Sequence, residues 1–140
     1  MQNTGFIDLL EAYGADMRGI NDRFMGDVAL YEQCFAEFMK EPNLALLEEA
    51  VAAQNYTKAF EAAHALKGIS GNLGLTPYYE AVCALVESLR AKDYAPVADE
   101  YESVSAAFAR LQALAAGEPA PAIPPAATET AEPTETAEPT

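Results

Sequence analysis

The sequence has few basic residues, a single histidine and no tryptophan. Only 8 Lys and Arg stand against 22 Asp and Glu, so the formal net charge is −14. A surface this acidic repels phosphate backbones and anionic lipid headgroups, which argues against nucleic-acid binding and membrane-surface binding. No uncharged apolar run approaches the roughly 20 residues that a membrane-spanning helix needs. Any histidine-based chemistry can occur only at His64.

Cysteine is equally scarce. Cys34 and Cys83 lie far apart, each within an apolar helical pattern, and lack the short paired spacing of a zinc site or a redox motif. We expect both to be buried, reduced thiols. The first residues carry no basic region followed by a continuous apolar stretch, which argues against a secretory signal and favours a cytoplasmic location.

The composition changes abruptly at Gly117. Residues 117–140 contain six prolines, five glutamates and no basic residue, and the hexapeptide TETAEP occurs twice, at 128–133 and 134–139. Such a segment cannot form a helix or a core. We therefore predict one domain over residues 1–116, with a net charge of −9, followed by a disordered acidic tail.

Within the predicted domain, apolar residues recur at helical spacing and no segment keeps the period-two alternation of a strand. Asp27 and Thr76 are the expected N-caps of two helices, and Gly74 is expected to end the helix before Thr76. Short connections between long helices favour antiparallel neighbours, so the predicted fold is all-α: an antiparallel up-down four-helix bundle with additional short N-terminal helices. The predicted helices cover residues 4–13, 16–24, 27–40, 44–53, 56–73, 76–91 and 95–116.

The most informative segment is residues 57–74, TKAFEAAHALKGISGNLG. On a helical wheel of 100° per residue, His64 lies opposite Leu66 and Leu73 and should face solvent. The side turned towards the core is formed by Ala59, Ala62, Ala63, Leu66, Ile69, Ser70 and Leu73. The residues within about 60° of His64 are Thr57, Phe60, Glu61, Lys67, Gly68 and Gly71.

A lone histidine is usually an ordinary surface or core residue, but its neighbours favour a functional role here. Gly68 and Gly71 each cost about 1 kcal/mol relative to alanine in a helix interior, and close approach of a partner would explain them. Lys67 lies one turn from His64, where its ammonium could neutralise an anion carried on the imidazole. Phe60 lies one turn before His64, either as part of a docking surface or partly buried against an adjoining helix.

The run from His64 to Gly74, HALKGISGNLG, resembles the motif of histidine-containing phosphotransfer (HPt) domains, in which H-x-L-K-G opens a stretch of small residues ending in L-G. The resemblance in helical layout extends over about residues 5–116. Two positions depart from the family pattern. Ile69 replaces a small hydroxyl residue and should affect packing more than chemistry, and Gly71 replaces a common alanine.

The resemblance implies that His64 accepts a phosphoryl group from an aspartyl phosphate on a response-regulator receiver domain, or from a hybrid sensor histidine kinase, and passes it to another receiver. Lys67 would neutralise the phosphoryl oxygens, while Gly68 and Gly71 would leave room for the receiver. Phe60, Thr57 and Glu61 would belong to the docking surface, with Glu61 pointing aside. The chain would have no cofactor of its own, because the receiver supplies the Mg²⁺, and it would be a monomer.

Two other functions compete with this relay. One is a non-catalytic helical adaptor that binds a receiver or a kinase through the face around Phe60. The other is a small helical enzyme or metal protein, which the sequence disfavours because it has a single histidine, no cysteine cluster and no Gly-rich phosphate loop. Without a nucleotide-binding segment, we do not expect the chain to be an autonomous kinase or ATPase. The start at Met1 and the low-complexity end favour a stand-alone protein.

Overall fold

The computed structural model describes residues 2–117, with side chains from Gly5 onward. The described part is all-helical and contains no strand, which confirms the predicted class. Its seven helices are α1 (Gln2–Tyr13), α2 (Met17–Phe24), α3 (Val28–Phe38), α4 (Pro42–Ala52), α5 (Tyr56–Asn72), α6 (Thr76–Arg90) and α7 (Val97–Ala115).

The helix starts follow from the capping residues. Asp27 caps α3 as expected, its carboxylate accepting a hydrogen bond from the Leu30 amide at 3.0 Å. Helix α4 begins two residues before the predicted start, because the Glu41 side chain accepts a hydrogen bond from the Asn43 amide and Pro42 occupies the first turn. A proline is well tolerated there, since its missing amide would have no partner within the helix.

The prediction of Thr76 as the N-cap of α6 was wrong. Gly74 adopts a positive φ of 67° and ends α5 as predicted, with its amide bonded to the Gly71 carbonyl and the Leu75 amide bonded to the Ser70 carbonyl. This pattern is the Schellman motif, which satisfies the last carbonyls of a helix. The turn is so short that Leu75 becomes the N-cap of α6, and Thr76 is already helical.

Helix α5 packs between α4 and α6, and α7 packs against α6, α4 and α1. The inward face predicted for α5 is confirmed, with Ile69 half-buried against the core and the other six side chains buried. The antiparallel up-down order of a four-helix bundle stays a prediction. The largest fully buried side chains are Tyr31, Tyr78, Phe38, Leu10, Leu47, Leu66, Leu75, Leu85, Leu111 and Leu114.

Aromatic contacts join α3 to α6 and α7, and α1 to α3. The ring of Phe38, at the end of α3, lies 5.5 Å from that of Tyr78 in α6 and 6.1 Å from that of Phe108 in α7. Phe6 of α1 contacts Phe35 of α3 edge to face, at 5.6 Å between centroids. Edge-to-face pairs of this kind add to the stabilisation from apolar burial.

The cysteines depart from the prediction in one respect. Neither thiol forms a disulfide, but each is half-buried rather than buried, because Cys34 packs at the margin of the core and Cys83 lies beside Tyr79 on α6. Within residues 2–117, no helix is long and apolar enough to cross a membrane. The domain boundary at residue 116 stays a prediction, and the tail predicted to be disordered lies, from residue 118 onward, outside the described residues.

Candidate functional site

Helix α5 presents the single histidine to solvent, as the wheel predicted. The helix begins at the Asn55 cap, whose side chain accepts a hydrogen bond from the Lys58 amide at 3.3 Å. Small buried alanines on the opposite side let α5 approach its neighbours closely, which turns the polar face outward. His64 and Gly68 are exposed, and Lys67 between them is half-buried.

His64 opens onto a shallow cavity of about 250 Å³. Lys67 and Gly68, two of the predicted site residues, line the same cavity. Tyr79, which was not predicted from the sequence, lines the cavity from α6. The cavity is lined by His64, Lys67, Gly68, Gly71, Asn72 and Tyr79.

The two glycines of the site have different surroundings. A Cβ atom placed on Gly68 would meet no atom within 4 Å, so the space predicted for a partner is open there. A Cβ atom on Gly71 would lie 3.0 Å from Cε1 and 3.3 Å from Cδ1 of Tyr79. The space beside Gly71 is thus already occupied within the chain. That Gly71 leaves room for a receiver stays a prediction, and within the chain its missing side chain makes room for the Tyr79 ring.

Phe60 is half-buried against the core, which was one of its two interpretations from sequence. Its ring lies 5.7 Å from the imidazole of His64, centroid to centroid. The guanidinium carbon of Arg90, at the end of α6, lies 5.4 Å from the centroid of the Phe60 ring, within the range of a cation–π contact. Arg90 therefore brings a positive charge near the site, and the sequence analysis did not single it out.

The other two predicted docking residues do not line the His64 cavity. Thr57 and Glu61 are both exposed on α5. Glu61 instead lines a separate cavity of about 320 Å³ between α4 and α5, together with Lys58 and Leu46. This position agrees with the expectation that the Glu61 carboxylate points aside from His64.

Residues from the N-terminal half hold the end of α5 in place. The Arg23 side chain donates a hydrogen bond from Nε to the Asn72 carbonyl at 2.8 Å, and the buried Tyr31 hydroxyl donates to the Leu73 carbonyl at 2.6 Å. The Asp16 amide donates to the Gly74 carbonyl at 2.8 Å. Because the Asn72 and Leu73 carbonyls lie at a helix end, where partners within the helix are missing, these bonds fix the end of α5 beside the cavity.

The described residues contain no group of three or more His, Cys, Asp or Glu side chains that could hold a metal ion. Tyr79 has a raised pKa. A hydrogen bond with the Cys83 thiol, then the electrostatic interaction with it, raises the pKa of Tyr79 above its ordinary value. The Tyr79 hydroxyl therefore keeps its proton near neutral pH.

The fold is helical, and its single histidine faces solvent at an open cavity beside a lysine and a glycine. Such a module can carry a covalently bound group on the histidine imidazole. The family model described as Hpt domain matches residues 29–116, more than half of the sequence, and the chain belongs to this family. Its members are phosphotransfer carriers of two-component signalling that interact with receiver domains and histidine kinases. Neither the curated proteins nor the solved structures gave a match.

Proposed function

We propose that this chain is a phosphorelay intermediate in which His64 accepts a phosphoryl group from an aspartyl phosphate of a receiver domain, or from a hybrid sensor histidine kinase, and passes it to another receiver domain. The observation that carries the proposal is the position of His64. It is the single histidine, it lies in the part of the chain that matches the Hpt model, and it is exposed at a cavity shared with Lys67.

The chemistry requires little from the acceptor. The lone pair of Nε2 on a neutral imidazole attacks phosphorus, a P–N bond forms, the P–O bond to the aspartyl carboxylate breaks, and that carboxylate leaves. The proton on Nδ1 stays in place, so the product is an N-phosphorylated imidazolium. The reverse attack by another receiver's aspartate regenerates neutral His64. Positioning and charge neutralisation dominate phosphoryl transfer, and an exposed imidazole meets the first requirement.

The neighbouring residues divide the remaining roles. The Lys67 ammonium neutralises the phosphoryl oxygens, and the open space at Gly68 lets the receiver's backbone approach α5. Phe60, Thr57 and Glu61 belong to the wider docking face. The chain needs no cofactor of its own, because the Mg²⁺ ion is held by the acidic pocket of the receiver. It acts as a cytoplasmic monomer, with its helices in an antiparallel up-down bundle, and has no kinase or ATPase activity.

The experiment is a transfer assay from labelled, phosphorylated receivers, profiled across every receiver encoded in the same genome. Wild-type chain should take label rapidly from one or a few receivers, and His64→Gln should take none while still binding the same receivers. Binding without labelling of the wild type would identify the chain as the helical adaptor. Equal labelling of wild type and His64→Gln would show that the phosphoryl group is carried elsewhere.

A further inference from the structure

The cavity at His64 is built from two helices. Five of its six lining residues belong to α5, and the sixth, Tyr79, reaches it from α6. Tyr79 therefore forms the wall of the cavity that faces α5. It is half-buried, so its side chain remains accessible from solvent.

The ring of Tyr79 occupies the space that the missing side chain of Gly71 leaves. Its Cε1 atom lies so close to the α5 backbone that even the Cβ of an alanine at position 71 would be only 3.0 Å away. Glycine in a helix interior lowers helix stability by about 1 kcal/mol relative to alanine. The glycine at position 71 is explained by the Tyr79 ring, because a larger residue there would push the ring away from α5.

The hydroxyl of Tyr79 has a weakly interacting neighbour. The Cys83 thiol, one turn further along α6, is the main cause of the raised pKa of Tyr79, and thiols are weak hydrogen-bond donors and acceptors. A phosphoryl group brings three strongly accepting, negatively charged oxygens. In the cavity that Tyr79 shares with His64, a phosphoryl oxygen is a stronger acceptor for a protonated hydroxyl than a thiol is.

We propose that Tyr79 binds the phosphoryl group carried on His64, donating a hydrogen bond to one of its oxygens from the α6 side of the cavity while Lys67 neutralises the group from the α5 side. This inference rests on the proposed function, because it needs a phosphorylated His64. The hydrogen bond stabilises the phosphorylated state, and the ring shields the P–N bond from water. Both effects lengthen the lifetime of the phosphohistidine.

The test measures that lifetime on the full chain. The protein is loaded with phosphoramidate as a small-molecule phosphoryl donor, the donor is removed, and the loss of phosphate is followed together with the ³¹P chemical shift. Tyr79→Phe keeps the ring and removes the hydroxyl. It should shorten the lifetime by about tenfold, the effect of one hydrogen bond to a charged group, and should move the ³¹P resonance.

Two further variants make the result specific. Tyr94→Phe removes a hydroxyl from a tyrosine that stacks on Tyr56, away from the cavity, and should behave as wild type. Gly71→Ala displaces the Tyr79 ring from α5 and should shorten the lifetime in the same direction as Tyr79→Phe. Circular dichroism melting checks that each variant is folded.

The outcomes separate this inference from the proposed function. Wild-type chain that cannot be loaded on His64 contradicts the proposed function itself. If wild type and Tyr79→Phe are both loaded on His64 and lose phosphate at the same rate with the same ³¹P shift, the relay stands and the role of Tyr79 is refuted. A tenfold loss in Tyr79→Phe that Tyr94→Phe does not show supports it.

Discussion

Substitutions of Gly68 test why a glycine lies beside His64. The effect of Gly68 on fold stability and its effect on the proposed interface with a receiver can be measured separately. Gly68 is exposed in the interior of α5, its backbone is not in the left-handed region, and a Cβ atom there would meet no neighbour within 4 Å. Gly68→Ala should therefore stabilise the fold by the full helix-propensity difference, about 1 kcal/mol. For a domain of this size, that gain raises the melting temperature by about 4 °C.

Gly71 is the matched control within the same helix. Gly71→Ala gains the same helix propensity, but its Cβ would lie 3.0 Å from the Tyr79 ring, which must move. Overpacking of this kind costs about 1–3 kcal/mol, so the gain should be cancelled or reversed. Urea unfolding of both variants, with equal m-values as the check on two-state behaviour, measures the difference.

The interface role of Gly68 is tested by transfer kinetics on the same protein. Gly68→Gln should keep the fold intact but block transfer from the cognate receiver, because its side chain would fill the open space at which we propose that the receiver docks. Normal transfer by Gly68→Gln would refute the close-approach argument. A Gly71→Ala variant as stable as Gly68→Ala would show that Tyr79 does not occupy the space beside Gly71.

Three further predictions concern Lys67, the hydrogen bond of Tyr31 and the carboxyl of Glu100. Lys67→Ala should slow transfer about tenfold or more while receiver affinity, measured by calorimetry, changes only a few fold, because the charge acts on the phosphoryl group. Tyr31→Phe should lower the free energy of unfolding by about 1–3 kcal/mol in urea titration, because it leaves the buried Leu73 carbonyl without its 2.6 Å bond. Burial raises the pKa of Glu100 despite its hydrogen bond from Ser88, so the folded state favours the protonated carboxyl, and this contribution is lost as pH rises through the folded pKa. Glu100→Gln should thus stabilise the chain at pH 7, and denaturant titrations should show that advantage vanishing below the ordinary Glu pKa of 4.5.

The sequence was sufficient to predict the helix that carries the site and to predict which of its faces is buried. The alanine pattern determines the buried side of α5. Glycine commonly ends helices with a positive φ, as Gly74 does here. The exposure of His64 and Gly68 then follows from the wheel alone.

The sequence was insufficient wherever a second helix contributes. A wheel shows which face Gly71 lies on, but the neighbour that fills the space depends on how α6 is placed against α5. The three-residue turn through Leu75 sets that placement and draws Thr76 into the helix. Tyr79 and Arg90 were missed for this reason, since both reach the site from α6.

The central claim is that the phosphoryl group is carried on His64, and site mapping by mass spectrometry tests it most directly. The full chain is incubated with its phosphorylated cognate receiver, and the modified peptide is sequenced under conditions that preserve phosphohistidine. The account predicts one added phosphoryl group per chain, located on His64 and absent from His64→Gln. A phosphoryl group found on any other residue, or persisting in His64→Gln, would contradict it.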